Sequence, residues 1–164
     1  MTSAPTSLAK RQPAAGGGVV GIVGIGASAG GLEAFEQFFA RVPVSSGLAF
    51  IVVQHLDPTQ KAMLAELLQR VTSLVVREAS EAMRVEANHV YVIPPNAELS
   101  LAQGLLHVMP PTEPRGMRLP VNVLFSSLAR DQGASAIGVV LSGMGSDGTL
   151  GLQALKAVGG LTVV

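Results

Sequence analysis

Gly26-Ala27-Ser28-Ala29-Gly30 is a G-x-S-x-G sequence lying between an apolar run and a helix-patterned segment. In that setting small neighbours let the backbone turn sharply and present a serine hydroxyl at the carboxyl end of a strand. The first amides of the following helix lack intrahelical partners and point to the same place, where they suit a developing oxyanion. A nucleophilic serine needs a base. His55 follows a second apolar run, whereas His89 begins a later strand and His107 falls inside an expected hairpin, so His55 is the economical choice. The competing reading is a strand-end imidazole satisfied by a carbonyl.

An imidazole that takes a proton also needs a carboxylate to orient it and to stabilise its charged form. The aspartates are Asp57, Asp131 and Asp147. Asp57 sits in an Asp-Pro turn two residues from His55, which constrains it, and Asp131 ends a helix, where a solvated cap is the simplest account. Asp147 lies in Leu141-Ser142-Gly143-Met144-Gly145-Ser146-Asp147-Gly148-Thr149, after a buried strand and before a helix. Its alternative is a glycine-rich turn in which Asp147 caps the next helix. Ser28, His55 and Asp147 thus fall at three strand ends on one rim of a sheet. Gly24-Ile25-Gly26-Ala27-Ser28-Ala29 also satisfies the dinucleotide fingerprint G-x-G-x-x-[GA]. That rival wants an acidic residue ending the second strand, where this chain has His55.

The elements that must hold these residues alternate. Val19–Ile25 and Leu48–Gln54 read as buried parallel strands, and Gly30–Ala40 and Lys61–Val71 as amphipathic helices. His89–Ile93 is a strand, and Glu98–Leu101 and Leu105–Met109 flank Gly104 as a hairpin. The proline-rich stretch from Pro110 to Pro120 is a loop. A helix over Asn122–Arg130, with Asn122 as N-cap, precedes a strand over Ala136–Leu141, a helix over Gly148–Val158 and a strand over Leu161–Val164. The expected fold is α/β: a doubly wound, mostly parallel sheet with helices on both faces and an antiparallel hairpin insertion. Residues 1–18 read as a flexible tail and 19–164 as the catalytic domain. The final apolar strand has no covering helix after it, which leads us to expect a C-terminally truncated piece of a longer protein.

With 164 residues the chain suits one such domain. The formal net charge is zero, the basic residues are scattered and tryptophan is absent, which argues against a nucleic-acid partner. No cysteine is present and the three histidines show no metal-ligand spacing, so neither disulfides nor a zinc site is expected. The apolar runs are short and interrupted, giving no expected membrane insertion and no secretory signal, and a cytoplasmic location fits.

The runs VGIGASAGGLEA, VVQHLDP, ANHVYVIPPN and LSGMGSDGTLGL, in this order and spacing, resemble the catalytic domain of CheB-type chemoreceptor methylesterases over about residues 19–164. The resemblance implies a Ser28, His55, Asp147 triad, with the backbone amides of Met144 and Ala29 holding the oxyanion. It implies hydrolysis of γ-glutamyl methyl esters on the cytoplasmic domains of methylated chemoreceptors, an activity that some members extend to deamidation of receptor glutamines through the same acyl-enzyme, and no cofactor. The QHLDP segment is similar to the methylesterase portion of fused methylesterase–methyltransferase proteins, so a fused or separate methyltransferase and response-regulator proteins are the expected associates. Asn122 stands where the family frequently has aspartate. A nucleotide-binding module and a non-catalytic receptor-docking domain remain the alternatives.

Overall fold

The computed structural model describes residues 18–19, 21–28, 30–55, 63–143 and 145–164. Its main sheet has six strands: β1 (Gly21–Ala27), β2 (Leu48–Gln54), β3 (Val75–Glu78), β5 (His89–Val92), β8 (Ala136–Ser142) and β9 (Leu161–Val163). They run in the order β3-β5-β2-β1-β8-β9, and every neighbouring pair is parallel. A separate antiparallel sheet holds β4 (Met83–Arg84), β7 (Leu105–Met109) and β6 (Glu98–Ala102) in that order. The hairpin expected from the sequence therefore exists, but it pairs with β4 in its own layer and does not enter the parallel sheet.

Two apolar layers sandwich the main sheet. Alternate residues Val23, Ile25 and Ala27 of β1 face α1 (Leu32–Phe39) and α2 (Leu64–Gln69), which bury Phe35, Phe39, Leu64 and Leu68 against them. The opposite face carries α3 (Pro120–Gln132), α4 (Thr149–Ala157) and the small sheet, through Leu124, Phe125, Leu128, Leu155, Leu99 and Leu106. Helices on both faces of a parallel sheet are what strands buried on both sides require.

β1 spans Gly21–Ala27, two residues beyond the expected end at Ile25, because Gly26 and Ala27 belong to the strand and not to a turn. A Cβ on Gly24 would lie 2.5 Å from Leu128 Cδ1, and one on Gly26 would lie 2.6 Å from Val121 Cγ1. These glycines let α3 lie close on the sheet. They are packing positions, and the dinucleotide reading of the same residues loses its basis.

α3 begins at Pro120, the favoured first position of a helix, and not at Asn122. Asn122 is a buried residue in its first turn, so the N-cap expected there is corrected. The helix expected over Lys61–Val71 is observed as Leu64–Gln69, with 61 and 62 outside the described residues.

Candidate active site

The sheet order reverses at β1: the chain moves outward to β2 on one side and later returns to β8 on the other. In open parallel sheets the crevice beyond the strand ends at such a reversal is the usual ligand site. Ala27 pairs with Gln54 of β2 and with Ser142 of β8, so three strand tips end level. Between β1 and β8 the register shifts at Gly26/Ala27, where β8 inserts one extra residue. A bulge at a strand end re-aims the chain beyond it. Here that chain is the loop carrying Asp147.

Ser28, His55 and Asp147 all line one open cavity of about 490 Å³ at these tips. Ser28 is pinned through its backbone: its amide donates to Ser142 O at 3.0 Å, and its carbonyl accepts Gly31 N at 2.9 Å and Gln54 Nε2 at 3.1 Å. Gly31 has no room for a side chain, since a Cβ there would lie 2.4 Å from Ala27 Cβ. Ser28 is not among the described residues with positive φ.

His55 follows β2, with its amide 3.4 Å from Ala27 O. Its Nε2 lies 2.7 Å from Asp147 Oδ2, and the side chains are 40% and 12% exposed. An ionised carboxylate only accepts, so this contact places the ring proton on Nε2 and leaves Nδ1 with a lone pair. The more exposed ring can meet a ligand, while the carboxylate beside it is largely covered. Among the described residues, no hydrogen bond joins the Ser28 hydroxyl to His55 or Asp147.

Asp147 is fixed from a second direction. Its Oδ2 accepts Val121 N at 3.0 Å and its Oδ1 accepts Asn122 N at 2.9 Å, both in the first turn of α3. The positive end of a helix favours a negative group. Asn122 reciprocates: its Oδ1 accepts Gly148 N at 3.0 Å, at the N-cap of α4, and Gly151 N at 2.8 Å, in the first turn of that helix. Asp147 thus caps a distant helix and not the one that follows it, as the turn reading supposed.

Other candidates are engaged elsewhere. His89 Nδ1 lies 2.8 Å from Ala87 O and its ring stacks on Tyr91. His107 Nδ1 lies 2.9 Å from Glu81 Oε1; the Val108 amide, then His107, hold that carboxyl below its usual range. Asp131 accepts the amides of Gln103 and Gly104, clasping the hairpin turn, so the solvated-cap account of it is corrected. Asp57, Ala29 and Met144 lie outside the described residues. Three contributors escaped the sequence reading: Gln54, Asn122 and Arg118, which also lines the cavity. Gln54 could have been found, since a polar residue closing a wholly apolar buried strand must have a partner.

No group of three or more histidine or acidic residues among the described residues could hold a metal ion, and no helix among them is long and apolar enough to cross a membrane.

Comparison with known proteins identifies the family. The family model for CheB methylesterase matches residues 23–164. The protein-glutamate methylesterase/protein-glutamine glutaminase of Salmonella typhimurium is 36% identical over 148 residues, covering 87% of this chain and 42% of that protein. The protein of the same description from Photorhabdus laumondii is 35% identical over 147 residues, covering 87% and 41%. The chain therefore spans about two-fifths of the length of the curated relatives it matches. The crystal structure of the Thermotoga maritima CheB methylesterase catalytic domain superposes with a TM-score of 0.77 at 29% identity, over 87% of this chain and 77% of that one. Motif order, parallel-sheet topology and these likenesses coincide over the same residues: the chain belongs to the CheB methylesterase family.

Proposed function

We propose that this chain hydrolyses γ-glutamyl methyl esters on the cytoplasmic domains of chemoreceptors, with Ser28 as nucleophile, His55 as base and Asp147 as the orienting carboxylate. The observation that carries the reading is the 2.7 Å His55–Asp147 contact on the cavity that Ser28 lines. Support comes also from relatives described as protein-glutamate methylesterase/protein-glutamine glutaminase.

In this reading Ser28 Oγ adds to the ester carbonyl while His55 Nδ1 takes its proton. The tetrahedral oxyanion is held by the backbone amides of Ala29 and Met144. Collapse expels methanol, which leaves with the proton from His55. Water, deprotonated by the same imidazole, then attacks the acyl-enzyme and releases the glutamate carboxylate and the serine hydroxyl. A glutamine side chain entering the same cycle loses ammonia in place of methanol. No step uses a cofactor. The setting is the cytoplasmic side of chemotaxis signalling, alongside a methyltransferase and response-regulator proteins.

Ser28→Ala tests the assignment through methanol release from a methylated receptor fragment. Turnover is expected to fall by at least about 10³-fold, since the hydroxyl makes the bond that defines the pathway. Full activity in a folded Ser28→Ala protein would remove Ser28 from the mechanism.

A further inference from the structure

The loop between β7 and α3, residues 110–119, forms one wall of the cavity and is tied down at both ends. Near its start, Thr112 donates through its amide and its hydroxyl to Glu98 Oε1, each at 3.1 Å, and Glu98 is buried. Near its end, Arg118 donates from Nε to Glu113 O at 2.9 Å and from Nη1 to Asn96 Oδ1 at 2.8 Å. Asn96 itself holds a left-handed conformation, φ 53°, in the turn after β5. A guanidinium is thus positioned by two neutral acceptors. Two of its five N–H groups are used and three remain.

Arg118 lines the cavity of Ser28 and His55, and also a smaller recess beside it that is shared by His55, Asn96 and Pro120. Among the described residues it is the permanent cation on either lining, and no carboxylate of theirs forms an ion pair with it. Its charge is placed on the lining of the site without an ion-pair partner among the described residues. The reaction proposed above gives that charge no work on the ester itself, which is neutral and whose oxyanion is assigned to backbone amides. A planar fork with spare donors matches a carboxylate.

We propose that Arg118 is a specificity-determining residue that binds a carboxylate on the polypeptide substrate, an acidic side chain flanking the reacting glutamyl ester. The inference rests on the hydrolase reading for the identity of the reacting group. It concerns binding, however, and its test is separable from turnover.

The probes are helical peptides with one glutamyl methyl ester and Glu, Gln or Lys at each position within four residues of it. Binding is measured by fluorescence anisotropy to Ser28→Ala protein, alone and combined with Arg118→Gln or Arg118→Glu. A partly exposed charge-assisted pair should make at least one Glu peptide bind about three- to tenfold tighter than its Gln counterpart at low salt. Arg118→Gln should abolish that ratio, and Arg118→Glu should shift the preference to the Lys peptide. A merely structural role would weaken all peptides alike and reverse nothing. An unchanged Glu-to-Gln ratio in Arg118→Gln, or equal losses on all three peptides, overturns the proposal. Methanol release from the same peptides by the wild-type chain is the separate arm. Its absence would sink the hydrolase reading while the binding ratios still decide the role of Arg118.

Discussion

Replacing Asp147 by asparagine separates two jobs that one carboxylate performs. Oδ2 meets both His55 Nε2 and Val121 N, whereas Oδ1 meets Asn122 N alone. An amide nitrogen at the Oδ2 position would face two donors, and at the Oδ1 position only one. The introduced carboxamide should therefore turn its oxygen toward His55, which preserves the imidazole tautomer and sacrifices the bond to Asn122 N. What is lost is the negative charge. Two unit charges about 4 Å apart at an effective dielectric constant near 20 interact by about 4 kcal/mol, and exposure of the His55 ring reduces this to about 2–4 kcal/mol. The expected fall in kcat is then about 30- to 1,000-fold, less than the roughly 10⁴-fold that accompanies a wrong tautomer in a serine protease. The unpaired Asn122 amide should lower stability by about 1–3 kcal/mol. Methanol-release kinetics and urea denaturation read the two effects separately. A loss of 10⁴-fold or more, or unchanged stability, would refute the assignment of the two oxygens.

Two further substitutions probe what holds the site. Asn122→Ala leaves the Gly148 and Gly151 amides without their acceptor and should cost about 2–4 kcal/mol by urea denaturation, whereas Asn122→Asp retains an oxygen for both and should keep most of that stability. An Asn122→Asp protein as unstable as Asn122→Ala would show that the caps are not the reason for this residue. Gly26→Ala drives a methyl group to 2.6 Å from Val121 Cγ1, so α3 must shift; a destabilisation of about 1–3 kcal/mol is expected in calorimetry, with a fall in esterase activity because α3 carries the amides on Asp147. A Gly26→Ala chain with native stability would contradict the close packing of α3.

Much of this was legible in the sequence because buried parallel strands leave strong marks. Leu48–Gln54, apolar up to its closing glutamine and preceded by a turn, is observed over the expected residues. β3 and β4 left no comparable mark. Val75–Glu78 is a mostly exposed edge strand, and β4 has only two residues, so neither shows the alternation or apolar run that identifies a strand. Glycine was the other source of error. Gly26 looked like the start of a turn, but a missing side chain serves close helix approach as well as it serves bending, and only the partner helix tells them apart. Ser28, His55 and Asp147 could be nominated because each follows a recognisable strand. Their orienting partners could not: Asn122 and Asp147 are 25 positions apart, and nothing local in either segment announces that each would reach into the other's helix.

That exchange has a consequence for how the site fails. Two helices whose opening turns are locked by each other cannot unravel one at a time, and the carboxylate beside His55 is one of the two bolts. The aspartate's aim is therefore guarded by the cooperativity of the whole fold. On warming, esterase activity should persist until the molecule melts and vanish with it, with no earlier, gentler loss at the rim.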